Sequence, residues 1–272
     1  LDVLPLPNTT KNQILMSEDM RLEGYIETRI DEGVGTITFY HPMSNSLPGR
    51  LLAQLSNAIT EMGEEVSVNV IILQSEGDRA FCGGASFEEL MAIENLEAGK
   101  EFFSGFARVI NSMRKCPKLI IGRIQGKAVG GGVGLASATD YCFATREASV
   151  KLSELAVGIG PFVVGPAVAR KIGNAAMSEL AINATEWRSA SWAREKGLYT
   201  HVFDTISDMD QAIATLVSKL ATSNPEAMRE LKKVFWAGTE DWDKLLVERA
   251  AISGKLVLSD FTRKAIEKFK KK

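Results

Sequence analysis

Hydrophobic and polar positions first alternate with period two, from Tyr25-Ile26-Glu27-Thr28-Arg29-Ile30 across Gly33 to Gly35-Thr36-Ile37-Thr38-Phe39. That pattern predicts two strands joined as a hairpin. Pro42 to Pro48 breaks it, and Leu51, Leu52, Leu55, Ile59 and Met62 then recur at helical spacing. Val68 to Leu73 is a nearly continuous apolar run, suited to a strand covered on both faces. Helical patterns return at Phe87 to Met91 and at Phe102 to Met113, the latter with an apolar stripe at 102, 103, 106, 109, 110 and 113. Leu119 to Ile124 predicts a further strand, Leu135 to Ala138 opens a helix of small residues, and Tyr141–Ala144 and Ser149–Leu152 are short strand candidates. Beyond Pro161 the pattern is helical over 166–172, 175–182, 189–196, 208–222, 225–236 and 241–269. Strands alternating with helices, then a helical end, predict an α/β core with a C-terminal helical region.

Composition narrows the partners. With 272 residues, 45% of them hydrophobic, the chain can bury one large core. A net charge of −2 supplies no basic field for nucleic acid or anionic lipid, which leaves small metabolites and protein partners. No apolar run reaches the ~18–20 residues that span a bilayer. The start, Leu1-Asp2-Val3-Leu4-Pro5, lacks the basic and apolar regions of a secretory signal. Residues 1–15 read as an expression remnant or loose arm, with Met16 or Met20 as the natural start. Cys82, Cys116 and Cys142 show neither metal-ligand spacing nor a disulfide framework, which fits a reducing, cytoplasmic compartment. His41 and His201 are too few and too far apart for a histidine metal site. The tail Lys268-Phe269-Lys270-Lys271-Lys272 reads as the solvated end of a helix.

Candidate chemistry lies in two glycine-rich turns, Cys82-Gly83-Gly84-Ala85-Ser86 and Gly130-Gly131-Gly132-Val133-Gly134, each joining a strand-like run to a helix-like run. Unpaired amides at two such strand-to-helix joints can share one developing oxyanion. Glu154, a carboxylate in an apolar stretch, can move protons beside them. A dinucleotide fingerprint fits poorly: starting at Gly130 its last glycine becomes Leu135, and starting at Gly132 it becomes Ser137. No Gly-Lys-Ser or Gly-Lys-Thr supplies a P-loop.

Taken in order, five segments resemble the enoyl-CoA hydratase/isomerase family, also called the crotonase superfamily. They are His41-Pro42 to Leu47, Arg79 to Ala85, Gly126 to Gly132, Thr139-Asp140-Tyr141, and Ser153-Glu154 followed by Gly158 to Pro161. The resemblance implies a ββα spiral core of four turns and C-terminal helices that mediate trimers, which can pair into hexamers. It divides the chain into an arm at 1–24, the spiral core at 25–205 and the helical region at 206–272. It places oxyanion donors at the amides of Ala85 and Gly131, with Glu154 as acid/base. It further implies an acyl-CoA thioester lying along Gly84, Gly130, Gly134, Pro161 and Phe162, with its adenine end near Asn45, Ser46 and Leu47. Coenzyme A enters as part of the substrate; neither metal nor redox cofactor is implied.

One departure bears on mechanism. Family hydratases usually carry two glutamates, and the first falls here on Gly134 while the second is present as Glu154. A single carboxylate suffices to take a proton from C2 of a 3-enoyl thioester and return it at C4, so 3-enoyl to 2-enoyl isomerisation is the expected reaction. Two alternatives stay open: hydration of a 2-enoyl thioester, including a branched one, with Glu88 or Glu89 as second acid, and an inactive acyl-CoA-binding protein. Asp140 is expected to brace the turn after its helix, and Phe162 to narrow the acyl pocket.

Overall fold

The hairpin is built as the alternation predicts, from β1 (Tyr25–Asp31) and β2 (Val34–Tyr40), paired antiparallel from Tyr25↔Tyr40 to Asp31↔Val34 and preceded by a short helix α1 (Glu18–Glu23). Glu32 and Gly33 both have positive φ, 45° and 82°, the two-residue turn whose twist matches the strands. These coordinates come from a computed structural model that describes residues 18–270. The arm expected at residues 1–15, Met16 and the last two lysines lie outside the described residues.

From β2 onward the chain repeats one path: a strand in a large sheet, a strand or bridge in a small sheet, then a helix. The first turn runs from β2 through Leu47 into α2 (Gly49–Glu64). The second runs β3 (Val70–Ser75), β4 (Ala80–Cys82), α3 (Phe87–Met91) and α4 (Leu96–Lys115). The third is β5 (Leu119–Ile124), β6 (Lys127–Val129) and α5 (Gly131–Ala138). The fourth is β7 (Tyr141–Thr145), β8 (Val150–Lys151), a 3-10 turn at Glu154–Val157 and α6 (Gly165–Ile182). After it come α7 (Ala190–Glu195), β9 (His201–Phe203), α8 (Ile206–Ala221), α9 (Pro225–Phe235), α10 (Trp242–Leu256) and α11 (Asp260–Lys270). The sheets have the orders β1-β2-β3-β5-β7-β9 and β4-β6-β8, all parallel except β1, and Leu47 pairs with Ala85 at the edge of the small sheet. The four-turn spiral is therefore present.

The apolar stripe of α2 (Leu51, Leu52, Leu55, Ile59, Met62) and that of α4 (Phe106, Val109, Ile110, Met113) meet in the main core beside Ile37, Phe39 and Leu73. The opposite face of the large sheet is covered by α8, whose Met209, Ile213 and Val217 pack on Val70, Ile121 and Phe143. Helices α4 and α10 touch backbone to backbone: a Cβ at Gly99 would lie 2.8 Å from the Gly254 carbonyl oxygen. This crossing fixes α4, which lines the cavity described below.

Three expectations need correction. Strand β9 was not anticipated, because three residues at an edge carry no period. Helix α5 starts at Gly131 rather than Leu135, since burial of every one of its residues overrides the poor helix propensity of glycine. The helix expected over 241–269 is two, broken between Leu256 and Asp260, where Ser259 Oγ accepts from the Thr262 amide at 3.3 Å and caps the second. By contrast the gap expected between 172 and 175 is real, since α6 is kinked at Gly173 (φ 77°, ψ 158°). No helix among the described residues is long and apolar enough to cross a membrane.

Asp140 ties the C-terminal helices to the spiral. Its Oδ2 accepts from the Ile120 amide at 2.8 Å and meets Lys232 Nζ at 2.9 Å, and its Oδ1 accepts from Trp236 Nε1 at 2.8 Å. Lys232, one helical turn from Trp236 on α9, also donates to the Lys118 carbonyl at 2.7 Å. Both charged side chains are almost wholly buried, 3% and 2% exposed, so neither can be left alone cheaply. Asp140→Ala is expected to cost about 3–5 kcal/mol of unfolding free energy in a urea titration, because it strands a buried ammonium. A loss below about 1 kcal/mol would contradict that role.

Candidate active site

Strands β4 and β6 are neighbours and parallel, so their carboxyl ends reach the same edge of the small sheet. There the two glycine turns abut. Gly84 has φ 93°, and a Cβ on it would lie 3.0 Å from the Val129 carbonyl oxygen and 3.7 Å from the Gly131 nitrogen. The Gly131 amide opens α5, among the donors that a helix leaves without an internal partner. Among the described residues, neither the Ala85 nor the Gly131 amide donates to a backbone carbonyl. A side chain at Gly131 would run into the Phe106 ring, so the turn is closed from behind by α4.

Glu154 heads the 3-10 turn after β8, and its Oε1 would lie 3.1 Å from a Cβ on Gly130. The residue as a whole is only half-buried, since it opens on a cavity, yet Oε2 is shielded from solvent and has no hydrogen-bond partner. Burial of that carboxyl pushes its pKa up to about 7 from an ordinary 4.5, against the lowering effect of a hydrogen bond from its own backbone. Cys82, beside the first turn, is no nucleophile at neutral pH, because full burial pushes its thiol up to about 12.

The turns and Glu154 line a cavity of ≈ 610 Å³ walled by Phe87, Leu90, Phe102, Phe103 and Phe106 on one side and Val157, Ile159, Pro161, Phe162 and Val164 on the other. Grooves of ≈ 710 and ≈ 960 Å³ lie elsewhere, but both are edged by exposed charged side chains and neither reaches a glycine turn. An apolar enclosure with a few convergent polar groups is the form expected of a ligand site.

Of the residues singled out in the sequence, Gly84, Ala85, Gly130, Gly131, Glu154, Pro161 and Phe162 come together around this cavity. Asn45, Ser46, Leu47 and Gly134 do not line it. Asn45 instead braces the β3–β4 connection, donating from Nδ2 to the Glu76 and Ala80 carbonyls at 2.8 and 2.9 Å and accepting from the His41 amide at 3.0 Å. Ser46 Oγ lies 3.2 Å from His41 Nδ1, and the buried Leu47 donates its amide to the Gly84 carbonyl at 2.8 Å. Gly134 packs instead against Val164, which itself lines the cavity: a Cβ there would lie 2.5 Å from Val164 Cγ1. Glu89 is likewise occupied, since its Oε2 accepts from the Gly49 amide at 2.8 Å and caps α2, while Glu88 is exposed. Among the described residues Glu154 is thus the single carboxylate lining the cavity. Val164, Lys151 and Trp187 also line it and had no sequence signal, because nothing local marks a valine or a lysine as cavity-facing.

Comparison with known proteins places the chain and its fold among related sequences and structures. The enoyl-CoA hydratase/isomerase family profile matches residues 29–271. The chain is 28% identical over 213 residues to a probable enoyl-CoA hydratase of Bacillus subtilis (strain 168), covering 78% of this chain and 82% of that one. It is 33% identical over 200 residues to a mitochondrial methylglutaconyl-CoA hydratase of Rattus norvegicus, covering 72% of this chain and 63% of the rat protein. The fold superposes on the crystal structure of an enoyl-CoA hydratase from Bacillus halodurans with a TM-score of 0.83, over 90% of this chain and 99% of that one at 22% identity.

Two expectations follow from the packing. Because the folded pKa of Glu154 lies above its unfolded value, the ionised carboxylate opposes folding; the cost is absent below pH 4.5, grows as pH rises, and is complete above about 7. Glu154→Gln should therefore match the wild type in stability near pH 4 and exceed it by about 3 kcal/mol at pH 8. Identical pH dependence in the two proteins would contradict the buried carboxyl. Gly134→Glu, which must displace Val164, is expected to lower stability by about 1–3 kcal/mol or more in denaturant titration, not to add a working acid.

Proposed function

Because the chain belongs to the enoyl-CoA hydratase/isomerase family, we propose that the cavity takes an acyl-CoA thioester and converts a 3-enoyl to a 2-enoyl chain. The observation that carries this reading is the desolvated carboxyl of Glu154, whose Oε2 has no partner, beside two amides free to donate. The thioester oxygen accepts from the Ala85 and Gly131 amides, which stabilise negative charge as it develops. Glu154 in its ionised form removes a proton from C2, and the electron pair of the broken C–H bond spreads into a dienolate ending on that oxygen. The protonated carboxyl then delivers the same proton to C4, the double bond settles between C2 and C3, and Glu154 is restored. A pKa near 7 suits a group that must take and return a proton at neutral pH.

The steric fit of Val164 against Gly134 supports one acid rather than two. Hydration of a 2-enoyl thioester is the second reading, favoured by the names of the two similar proteins above. It would require a water held by Glu154 together with a hydroxyl of the cavity wall, Ser153 or Thr185. Phe162, whose ring lies over Gly160, narrows the acyl end in either case. Assembly into trimers is part of the proposal; on α9, Leu231, Val234 and Phe235 leave 46%, 70% and 45% of their surface uncovered, an apolar stripe fit for a neighbouring subunit.

Purified protein is expected to isomerise 3-enoyl-CoA, with kcat/KM rising to a plateau through an apparent pKa near 7 as Glu154 ionises. Glu154→Gln should lower kcat by about 10²–10⁴-fold. Faster turnover of a 2-enoyl-CoA with water would favour hydration. Tight binding without turnover of either thioester would favour a binding protein.

A further inference from the structure

The small sheet carries a feature that proton transfer does not use. In the β6–β8 pair, Val129 stands opposite Lys151, so Lys127, two residues before Val129, projects from the same face as Lys151. Both side chains reach one ring: Lys127 Nζ lies 5.1 Å and Lys151 Nζ 4.5 Å from the centroid of Trp187. Val129, Lys151 and Trp187 line the cavity, and the ring is 40% exposed at its mouth. Among the described residues neither ammonium makes an ion pair with a carboxylate. Arg188, next to Trp187, already holds Glu179 at 3.0 Å. Two positive charges thus converge on one aromatic ring beside an apolar cavity, with no carboxylate paired to either. A cation–π contact offsets part of their mutual repulsion, and an anion placed between them would offset the rest.

We propose that Lys127, Lys151 and Trp187 form a site for an anionic group carried by the bound thioester, and that this group is a free carboxylate at the far end of the acyl chain. The inference rests on the acyl-CoA reading above and deepens it, making the substrate class a dicarboxylic acyl thioester. The same chemistry could come from the phosphates of coenzyme A, but position favours the acyl end. The Gly130 amide donates to the Lys151 carbonyl at 2.9 Å, so β8 is stitched directly to the oxyanion turn, and Lys151 precedes Glu154 by one short segment of chain. The phosphates are held away from the thioester by the whole pantetheine arm, with its two amide units. A carboxylate only a few carbons from the reacting centre falls within the span of a lysine side chain. At the cavity mouth Lys127 and Trp187 are exposed while Lys151 is half-buried, so such a pair remains open to screening by salt.

Titration calorimetry with two saturated, unreactive thioesters of equal carbon count, glutaryl-CoA and pentanoyl-CoA, separates the possibilities. Wild type is expected to bind glutaryl-CoA about 10–100-fold more tightly, and that ratio should shrink as salt is raised. Lys127→Met with Lys151→Met should bring the ratio to about one, and Lys127→Arg with Lys151→Arg should keep it. Circular dichroism checks that each variant folds. The corresponding pantetheine thioesters, which lack the nucleotide phosphates, should show the same preference. Equal weakening of both CoA thioesters in the double methionine variant, absent with the pantetheine thioesters, would assign the lysines to the phosphates and overturn the proposal. Binding of both CoA thioesters by wild type without preference would also overturn it while leaving the acyl-CoA reading intact, whereas failure to bind either would sink that reading and the proposal together.

Discussion

Everything at the site follows from one steric constraint: two strand-to-helix turns must come together closely enough to share a ligand atom. Parallel pairing of β4 with β6 brings their ends to one edge, but only glycine lets them touch. A side chain at Gly84 would press on Val129, and one at Gly131 would meet Phe106. The Gly131 amide is then free because the chain turns there into α5, where the first donors have no internal partner, and the Ala85 amide because Ala85 bridges Leu47 without donating to it. Their freedom is a consequence of topology. On the proposed reading, the oxyanion site is thus laid down with the sheet, before any substrate arrives.

The carboxyl of Glu154 is poised by the opposite means. The amides are prepared by lacking partners while remaining reachable by a ligand; the acid is prepared by losing water. Its Oε2 is shielded and unpaired, and burial alone accounts for the rise in its pKa. Keeping an ionised carboxylate there opposes folding, a strain that the surrounding core must carry. That core is tied together at a distance from the cavity by the buried Asp140 pairs, which join β5, β7 and α9. Val164 completes the arrangement by occupying the space in front of Gly134. Among the described residues the cavity is left with a single carboxylate and a largely apolar wall.

Much of this was legible in the chain because the decisive residues are ones whose physics is local. Glycine runs at Gly83-Gly84 and Gly130-Gly131-Gly132 announce unusual backbone wherever they occur, and an acid among Leu152, Leu155, Ala156 and Val157 announces desolvation. The hairpin and the buried stripes of α2 and α4 were readable for the same reason, since each period repeats several times within its element. What could not be read depends on register or on distant contacts. Lys127, Lys151 and Trp187 meet only because β6 and β8 pair with Val129 opposite Lys151. The opposition of Gly134 and Val164 joins α5 to α6 far along the chain. Asn45 looked like a ligand residue, yet three backbone partners already claim its side chain.

We propose that free amides at Ala85 and Gly131, together with the desolvated Glu154, make a thioester enolate. That central claim is tested most directly by following the C2 protons of a saturated acyl-CoA by NMR in D₂O, where no further chemistry can intervene. Wild-type protein should replace those protons by deuterium, with Glu154→Gln slowing exchange by about 10²-fold or more. Exchange at the same rate in both proteins, with the fold of the variant intact, would contradict it.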